Sequence, residues 1–296
     1  MLGKSDARGI LAATFAAFCW GAATVMSKSA LHAVSPLALL VLQLGFSVAA
    51  LWAVILLTRR PLPVPRTSAA LAALGLLEPG TAYLLGLIGL VSVGAGVATL
   101  IQASEAIMIV LVAAILLRQK PASSLIVLSL VALGGLLVAL GVFDAPLTES
   151  TPSGVALIFL ATASAAVYVV LSSRLIGDHD PLVAVGLQQL SALVLALAVL
   201  PLEATLSPAG IVLPGDAHVW LVVAVSGLVQ YALAFSAYMY ALTRIDANMA
   251  GSFLNLTPVF GLAIAYGVLG ETMSVLQLLG AAVTIAAVSL VHLHHD

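Results

Sequence analysis

Apolar residues fall along this chain in long runs rather than in alternation. Ten stretches of mostly apolar residues, set apart by charged or Pro-containing breaks, lie at about 10–30, 36–58, 68–90, 94–117, 122–142, 153–174, 182–202, 217–242, 247–269 and 273–293. A helix needs about 20 such residues to cross the hydrocarbon of a bilayer. The pattern therefore predicts an all-α polytopic membrane protein with ten transmembrane helices. Connections are short, and the longest, 203–216, carries Pro208 and Pro214. No soluble domain fits between the runs. The first run begins at Ile10 behind Lys4 and Arg8, the layout of a cleavable signal peptide, but it continues through Val25 and has a counterpart later, so it reads as helix one.

Composition agrees. Of 296 residues, 62% are hydrophobic and 7% charged, with a mean hydropathy of +1.22, against roughly 25% charged in an ordinary soluble domain. A net charge of −2, without a basic run, excludes a nucleic-acid partner. Cys19 is alone, so no intrachain disulfide forms.

The basic residues set an orientation, because Lys and Arg favour cytoplasmic loops. With the N-terminus inside, Lys4, Arg8, Arg59, Arg60, Arg66, Arg118, Lys120, Arg174 and Arg244 all fall on the cytoplasmic side, leaving Lys28 outside. The expectation is a cytoplasmic-membrane protein with both termini cytoplasmic.

The chain also repeats. Trp20 to Gln43 aligns with Ala165 to Gln188 at a spacing of 145, pairing Ser35-Pro36 with Asp180-Pro181. After an insertion of seven residues the spacing becomes 152, pairing Gly75-Leu76-Leu77-Glu78 with Gly227-Leu228-Val229-Gln230, and Arg118-Gln119-Lys120 with Gly270-Glu271-Thr272. Two five-helix units follow, 1–147 and 148–296. An odd number of spans inverts the second copy, an architecture that forms substrate sites near the midplane between repeats.

Two groups of residues resemble a known family. Asn255-Leu-Thr-Pro258-Val-Phe-Gly, Gly270-Glu271-Thr272 and Gln277-Leu-Leu-Gly280 are similar to the last two helices of the EamA-type unit of the drug/metabolite transporter superfamily. Phe18-Cys19-Trp20-Gly21, with Lys28 and Ser35-Pro36, is similar to the opening of the same unit. Gln43 and Gln188 stand where that family commonly has Arg, and Glu105-Ala106 where it often has Pro. The resemblance implies a ten-helix transporter, often an exporter of amino acids or other small metabolites, with the aromatic amino-acid exporter type nearest.

Glu78 and Glu105 are the residues to which chemistry is first assigned. A charge at the bilayer centre costs on the order of 2.5–3.5 kcal/mol by insertion scales, so it marks a functional site by default. Each lies about thirteen residues from the turn near Val91 and Ser92, which at 1.5 Å per residue puts both at a similar depth, roughly 20 Å away. If they adjoin, the two cannot both ionise cheaply. The functional reading is proton coupling or binding of a substrate ammonium; the alternative is a carboxyl hydrogen-bonded to a neighbouring helix. Pro79 and Gly80 loosen the helix at Glu78, freeing backbone groups that can line a cavity.

Gln102 shares a helix face with Glu105, and Asn248, Ser252 and Asn255 step by four and three. These, with Gln230, are candidates to line an aqueous path, or else to bond between helices at about 0.6 kcal/mol each. Gln43 and Gln188, at matched repeat positions, suit a structural or gating role. Tyr231, Phe235 and Tyr238 form a stripe which, with Trp20, Tyr83 and Tyr168, either stacks on an apolar substrate side chain or packs the core. Lys28 either attracts a substrate carboxylate or snorkels to the interface. His292, His294 and His295 form a tail without the fixed geometry a metal needs. Gly134 with Gly141, and Gly280 with Thr284, permit close helix contact within each half or across a homodimer.

The leading expectation is a secondary transporter exporting amino acids or similar zwitterions by alternating access, with small molecules and lipid as its partners. Alternatives are a multidrug or lipophilic-cation exporter and a uniporter. No Walker A run is present for ATP, and no cofactor is implied. An intramembrane enzyme lacks His or Asp in the span interiors, and a scaffold lacks extramembrane surface.

Overall fold

The computed structural model describes residues 6–90, 92–93, 101–118, 121, 123–140, 151–206, 210–269 and 274–293. Those residues are helical with no strand. The helices are α1 (Ala7–Ala30), α2 (Pro36–Leu57), α3 (Pro65–Gly89), α4 (Glu105–Leu116), α5 (Ser123–Ala139), α6 (Pro152–Ile176), α7 (Pro181–Val199), α8 (Ala217–Leu242), α9 (Ala247–Phe253, resuming as Leu256–Leu269) and α10 (Val275–Leu293). Seven of them, α1–α3 and α6–α9, are long and apolar enough to cross a membrane; α4, α5 and α10 are apolar and fall outside that set. Residues 94–100, 119–120, 270–273 and 294–296 lie outside the described residues, and with them Lys120, Glu271, His294 and His295.

Local chemistry sets the helix starts. Pro36, Pro65, Pro152 and Pro181 occupy first turns, where the missing N–H is not needed. Asp6, Thr151, Asp180, Asp216 and Asp246 accept hydrogen bonds from the first free N–H groups of their helices. α2 is capped from a distance instead. The buried Glu203 carboxylate, just past α7, accepts from Leu37 N at 2.8 Å, Ala38 N at 3.0 Å and the Ser35 hydroxyl at 2.7 Å.

The apolar surface faces outward and polar groups face inward. Leu57, Ile115 and Val275 are among the exposed side chains, whereas Gln43, Ser47, Gln188, Gln189 and Ser226 are buried. That distribution suits lipid as the surrounding solvent, with interhelical hydrogen bonds as the glue. α1 packs on α8 and α9, while α6 packs on α3 and α4; α2 packs on α7 and α5 on α10.

Two close backbone approaches hold the middle. A Cβ on Gly75 would collide with the Gln188 carbonyl, and one on Gly227 would lie 2.6 Å from the Gln43 carbonyl. At the α5–α10 contact the expected Gly134 faces open space; its neighbour Gly135 is the one pressed on α10, where a Cβ would lie 2.8 Å from the Thr284 hydroxyl. Spacing alone cannot separate adjacent glycines whose directions differ by a 100° helical step. Gly280 and Thr284 are spent on this intramolecular contact, and Gly141 lies outside the described residues.

α3 and α8 are both interrupted. Wide π-turns span Leu76–Thr81 and Leu228–Leu233, and Glu78 sits in extended backbone inside the first. The freed Leu77 carbonyl accepts from Ser164 of α6 at 3.0 Å, and the Tyr231 carbonyl from Gln189 of α7 at 2.7 Å. Two ion pairs close the opposite end from the α1–α2 turn: Arg60 with Asp180, and Arg244 with Asp6. The Arg8 backbone N–H, with the Arg244 guanidinium nearby, holds the Asp6 carboxyl below its usual range.

Gly75→Ala and Gly227→Ala are each expected to destabilise the protein by about 1–3 kcal/mol or more through overpacking. Gly134→Ala is expected to be neutral or slightly stabilising, since Ala is the better helix former. Thermal unfolding of the purified protein in detergent checks both.

Candidate functional site

Within the bundle lies a cavity of about 800 Å³, lined by all helices except α7 and α10. Its lining reaches Lys28, Leu31 and Pro36 at the α1–α2 end and includes no residue from the α2–α3, α6–α7 or α8–α9 turns. The cavity is therefore open toward one end of the bundle.

Glu78 enters it from the break in α3, and Glu105 from the start of α4. Both carboxyls line the same space. Neither has a hydrogen-bond partner among the described residues.

The aromatic residues assemble into one wall. Trp20 meets Phe235 and Tyr238 edge-on at 5.2 and 5.4 Å, Tyr83 meets Tyr231 at 5.4 Å, and Tyr231 stacks on Phe235 at 6.1 Å. Trp20, Tyr83, Tyr168, Tyr231 and Tyr238 all line the cavity, so packing and lining are roles of the same rings.

Four polar atoms around this space lack partners: Trp20 Nε1, the Tyr238 hydroxyl, Asn255 Nδ2 and the Thr257 hydroxyl. Buried polar groups are rarely left so, and each such group calls for an explanation. Trp20 Nε1 can only donate, Asn255 Nδ2 is likewise a donor, and the two hydroxyls can donate.

Of the residues singled out from sequence, Glu78, Glu105, Gln102, Trp20, Tyr83, Gln230, Tyr231, Asn255, Gln43 and Lys28 line the cavity. Asn248, Ser252 and Gln188 do not. Asn248 and Ser252 are buried on the first segment of α9, and the interruption at Leu254–Asn255 turns Asn255 away from their row. Gln43 donates to both Ser27 and Ser226 at 2.8 Å, and Ser27 donates to Gln230 at 3.3 Å, tying α1, α2 and α8 together. Gln188 instead accepts from the Tyr168 hydroxyl at 2.9 Å.

Thr24, Ser27, Thr162 and Thr257 also line the space. A single hydroxyl in an apolar helix has no pattern to reveal it. Tyr238 had one, the three-residue stripe it shares with Tyr231 and Phe235.

The sequence profile of the EamA-like transporter family matches the chain twice, over residues 7–141 and 152–293. A protein named as an uncharacterized transporter in Archaeoglobus fulgidus is 24% identical over 281 residues, covering 92% of this chain and 94% of its own. The uncharacterized transporter YdfC of Bacillus subtilis is 28% identical over 278 residues, covering 93% and 87%. A solved crystal structure superposes with a TM-score of 0.79 at 20% identity over 98% of both chains, a likeness of fold.

Tyr168→Phe removes the partner of the Gln188 carbonyl oxygen, while Gln188 Nε2 already has none. A loss of about 0.6 kcal/mol, and below 2, is expected for one such intramembrane bond. Comparison of unfolding free energies in detergent, with Gln188→Leu as the partner substitution in a double-mutant cycle, reads it.

Proposed function

Because the chain belongs to the EamA-like transporter family, we propose that it is a secondary transporter exporting amino acids or similar small zwitterions across the cytoplasmic membrane. The observation that carries this reading is the opposed polarity of one cavity. Unpartnered carboxylates stand on α3 and α4, and unpartnered donors on α1, α8 and α9. A zwitterion offers an ammonium to the first set and a carboxylate to the second. The aromatic wall then takes its apolar side chain. A volume of about 800 Å³ lies within the roughly 300–1,000 Å³ of small-molecule sites.

Transport proceeds by alternating access between two inverted five-helix repeats, 1–147 and 148–296, whose ten helices cross the membrane. Three observations support the repeat. The two profile matches divide the chain near the same place. The π-turns begin at Leu76 and Leu228, positions that the repeat alignment pairs. The glycine contacts are reciprocal, Gly75 meeting Gln188 and Gly227 meeting Gln43, again paired residues. With both termini cytoplasmic, as the basic loops favour, the described cavity opens to the outside. Glu78 and Glu105 contact the ammonium, or a coupling proton that competes with it.

A second reading follows from the charge inventory. The deep charged residues of the lining are both acidic, with Lys28 at the mouth, and an acidic aromatic pocket also suits a lipophilic organic cation.

Flux of amino acids and of organic cations in proteoliposomes, with and without a proton gradient, decides between these. Glu78→Gln and Glu105→Gln each remove a charge-assisted bond of about 1.5–3 kcal/mol, so the apparent affinity for the transported amino acid is expected to fall about 10- to 100-fold. Amino-acid flux that neither substitution changes would sink the assigned roles. Cation flux in the absence of amino-acid flux would establish the second reading instead.

A further inference from the structure

A second cavity, of about 730 Å³, lies at the end of the bundle opposite the open mouth, where α4, α6, α8 and α9 meet. Arg118 and Arg174 both line it. Among the described residues neither guanidinium has a hydrogen-bond or ion-pair partner. The acidic residue in the lining, Asp246, uses its carboxylate to cap α9, accepting from Asn248 N at 2.9 Å and Met249 N at 3.0 Å.

The backbone at Arg118 is unusual. It lies one residue past Leu117, the C-cap of α4, with φ of 54°, the left-handed conformation in which glycine is the ordinary choice. A Cβ there is unfavourable. The paired position in the second repeat is Gly270. The first repeat thus carries a cation where the second carries the residue that suits such a backbone. A residue held in a costly conformation while presenting an unpaired charge to a cavity is a reasonable place to look for a ligand.

The walls say which kind of ligand. Leu242, Ile245 and Ala247, at 5%, 7% and 2% exposure, form the inner wall of the basin, while Leu116, Arg118 and Arg174 are exposed at its rim. The same helices carry Glu105, Tyr168, Tyr238 and Asn255 in the central cavity. The two linings share no residue, so these four helices form the floor between the basin and the cavity.

We infer that this basin is the cytoplasmic vestibule of the transport path, and that Arg118 and Arg174 bind the carboxylate of the substrate before the floor opens. Guanidinium forks match carboxylate geometry in two parallel hydrogen bonds, and a basic, low-dielectric funnel concentrates anions at its mouth. This rests on the zwitterion-export reading, and it adds the site where substrate is first met.

Two measurements test it. In the first, the purified full chain is treated with phenylglyoxal with and without acetate, and modification is located by mass spectrometry. Acetate is expected to slow labelling of Arg118 and Arg174 at least threefold while leaving Arg66 unchanged. Equal labelling with and without acetate overturns the vestibule, whatever the protein transports. In the second, half-saturation is measured from each side of proteoliposomes of known orientation. Arg118→Gly with Arg174→Gln is expected to raise the cytoplasmic-side value about tenfold or more for an amino acid, keep the outer-side value within twofold, and leave its decarboxylated amine unaffected. Arg118→Gly alone is expected to unfold no earlier than wild type, because glycine suits that backbone. Equal changes on both sides overturn the inference. So does an effect that appears only in vesicles containing anionic phospholipid, which assigns the arginines to lipid headgroups. Acetate protection without any amino-acid flux upholds the oxyanion site and removes the export reading instead.

Discussion

A helix surrounded by hydrocarbon cannot be opened unless other protein groups take up the backbone atoms it releases. This constraint governs the centre of the molecule. α3 and α8 open in the same register, and Ser164 and Gln189 accept the consequence by donating to the Leu77 and Tyr231 carbonyls. Glu78 owes its position to the first opening, since its extended backbone turns the side chain out of the helical row and into the cavity. Gln230 and Tyr231 lie within the second opening, whose backbone stays helical, and also line the cavity. The buried amides of α2 and α7 have their roles from this geometry. Gln43 fastens the region of the second opening to α1, and Gln188 and Gln189 fasten α6 and α8 to α7.

Close approach is the other half of the arrangement. The interhelical bonds near the breaks form because the chains come nearly backbone to backbone, and Gly75 and Gly227 make that possible. Polar satisfaction and small-residue packing are thus one design. Around the cavity stand two carboxylates without hydrogen-bond partners, on α3 and α4, and unpartnered donors on α1, α8 and α9.

Much of this was readable in the order of residues. The apolar runs located helices at all ten expected segments within the described residues, and α8 was placed at its observed bounds. Pro79 and Gly80 marked the opening in α3, whereas the opening in α8 had no such signal. Glu78 and Glu105 stood out because a carboxylate in a hydrocarbon run is costly enough to need a reason. Other features had no such signal. Gly135 and Gly134 are equivalent in composition, and only the rotation of α5 decides which one meets α10. Asn248, Ser252 and Asn255 keep helical spacing, yet the interruption before Asn255 separates one from the other two. Glu203 lay in a connection, and its role as the cap of α2 depends on a contact 166 residues away in sequence.

The sequence by itself determined that the chain is helical, that lipid is its solvent, and roughly which segments form the helices, because hydrophobic run length, proline and capping side chains act over a few residues. It also identified the acidic pair, since a buried charge is conspicuous wherever it lies. Tertiary structure decided which polar groups satisfy one another and which are left facing a cavity. It also decided that the cavity is open at one end and closed at the other, above a basin lined by two arginines. Those outcomes depend on helix rotation and on meetings between distant segments, and a hydrogen bond is decided by differences of about half an ångström, which no pattern of residue spacing encodes.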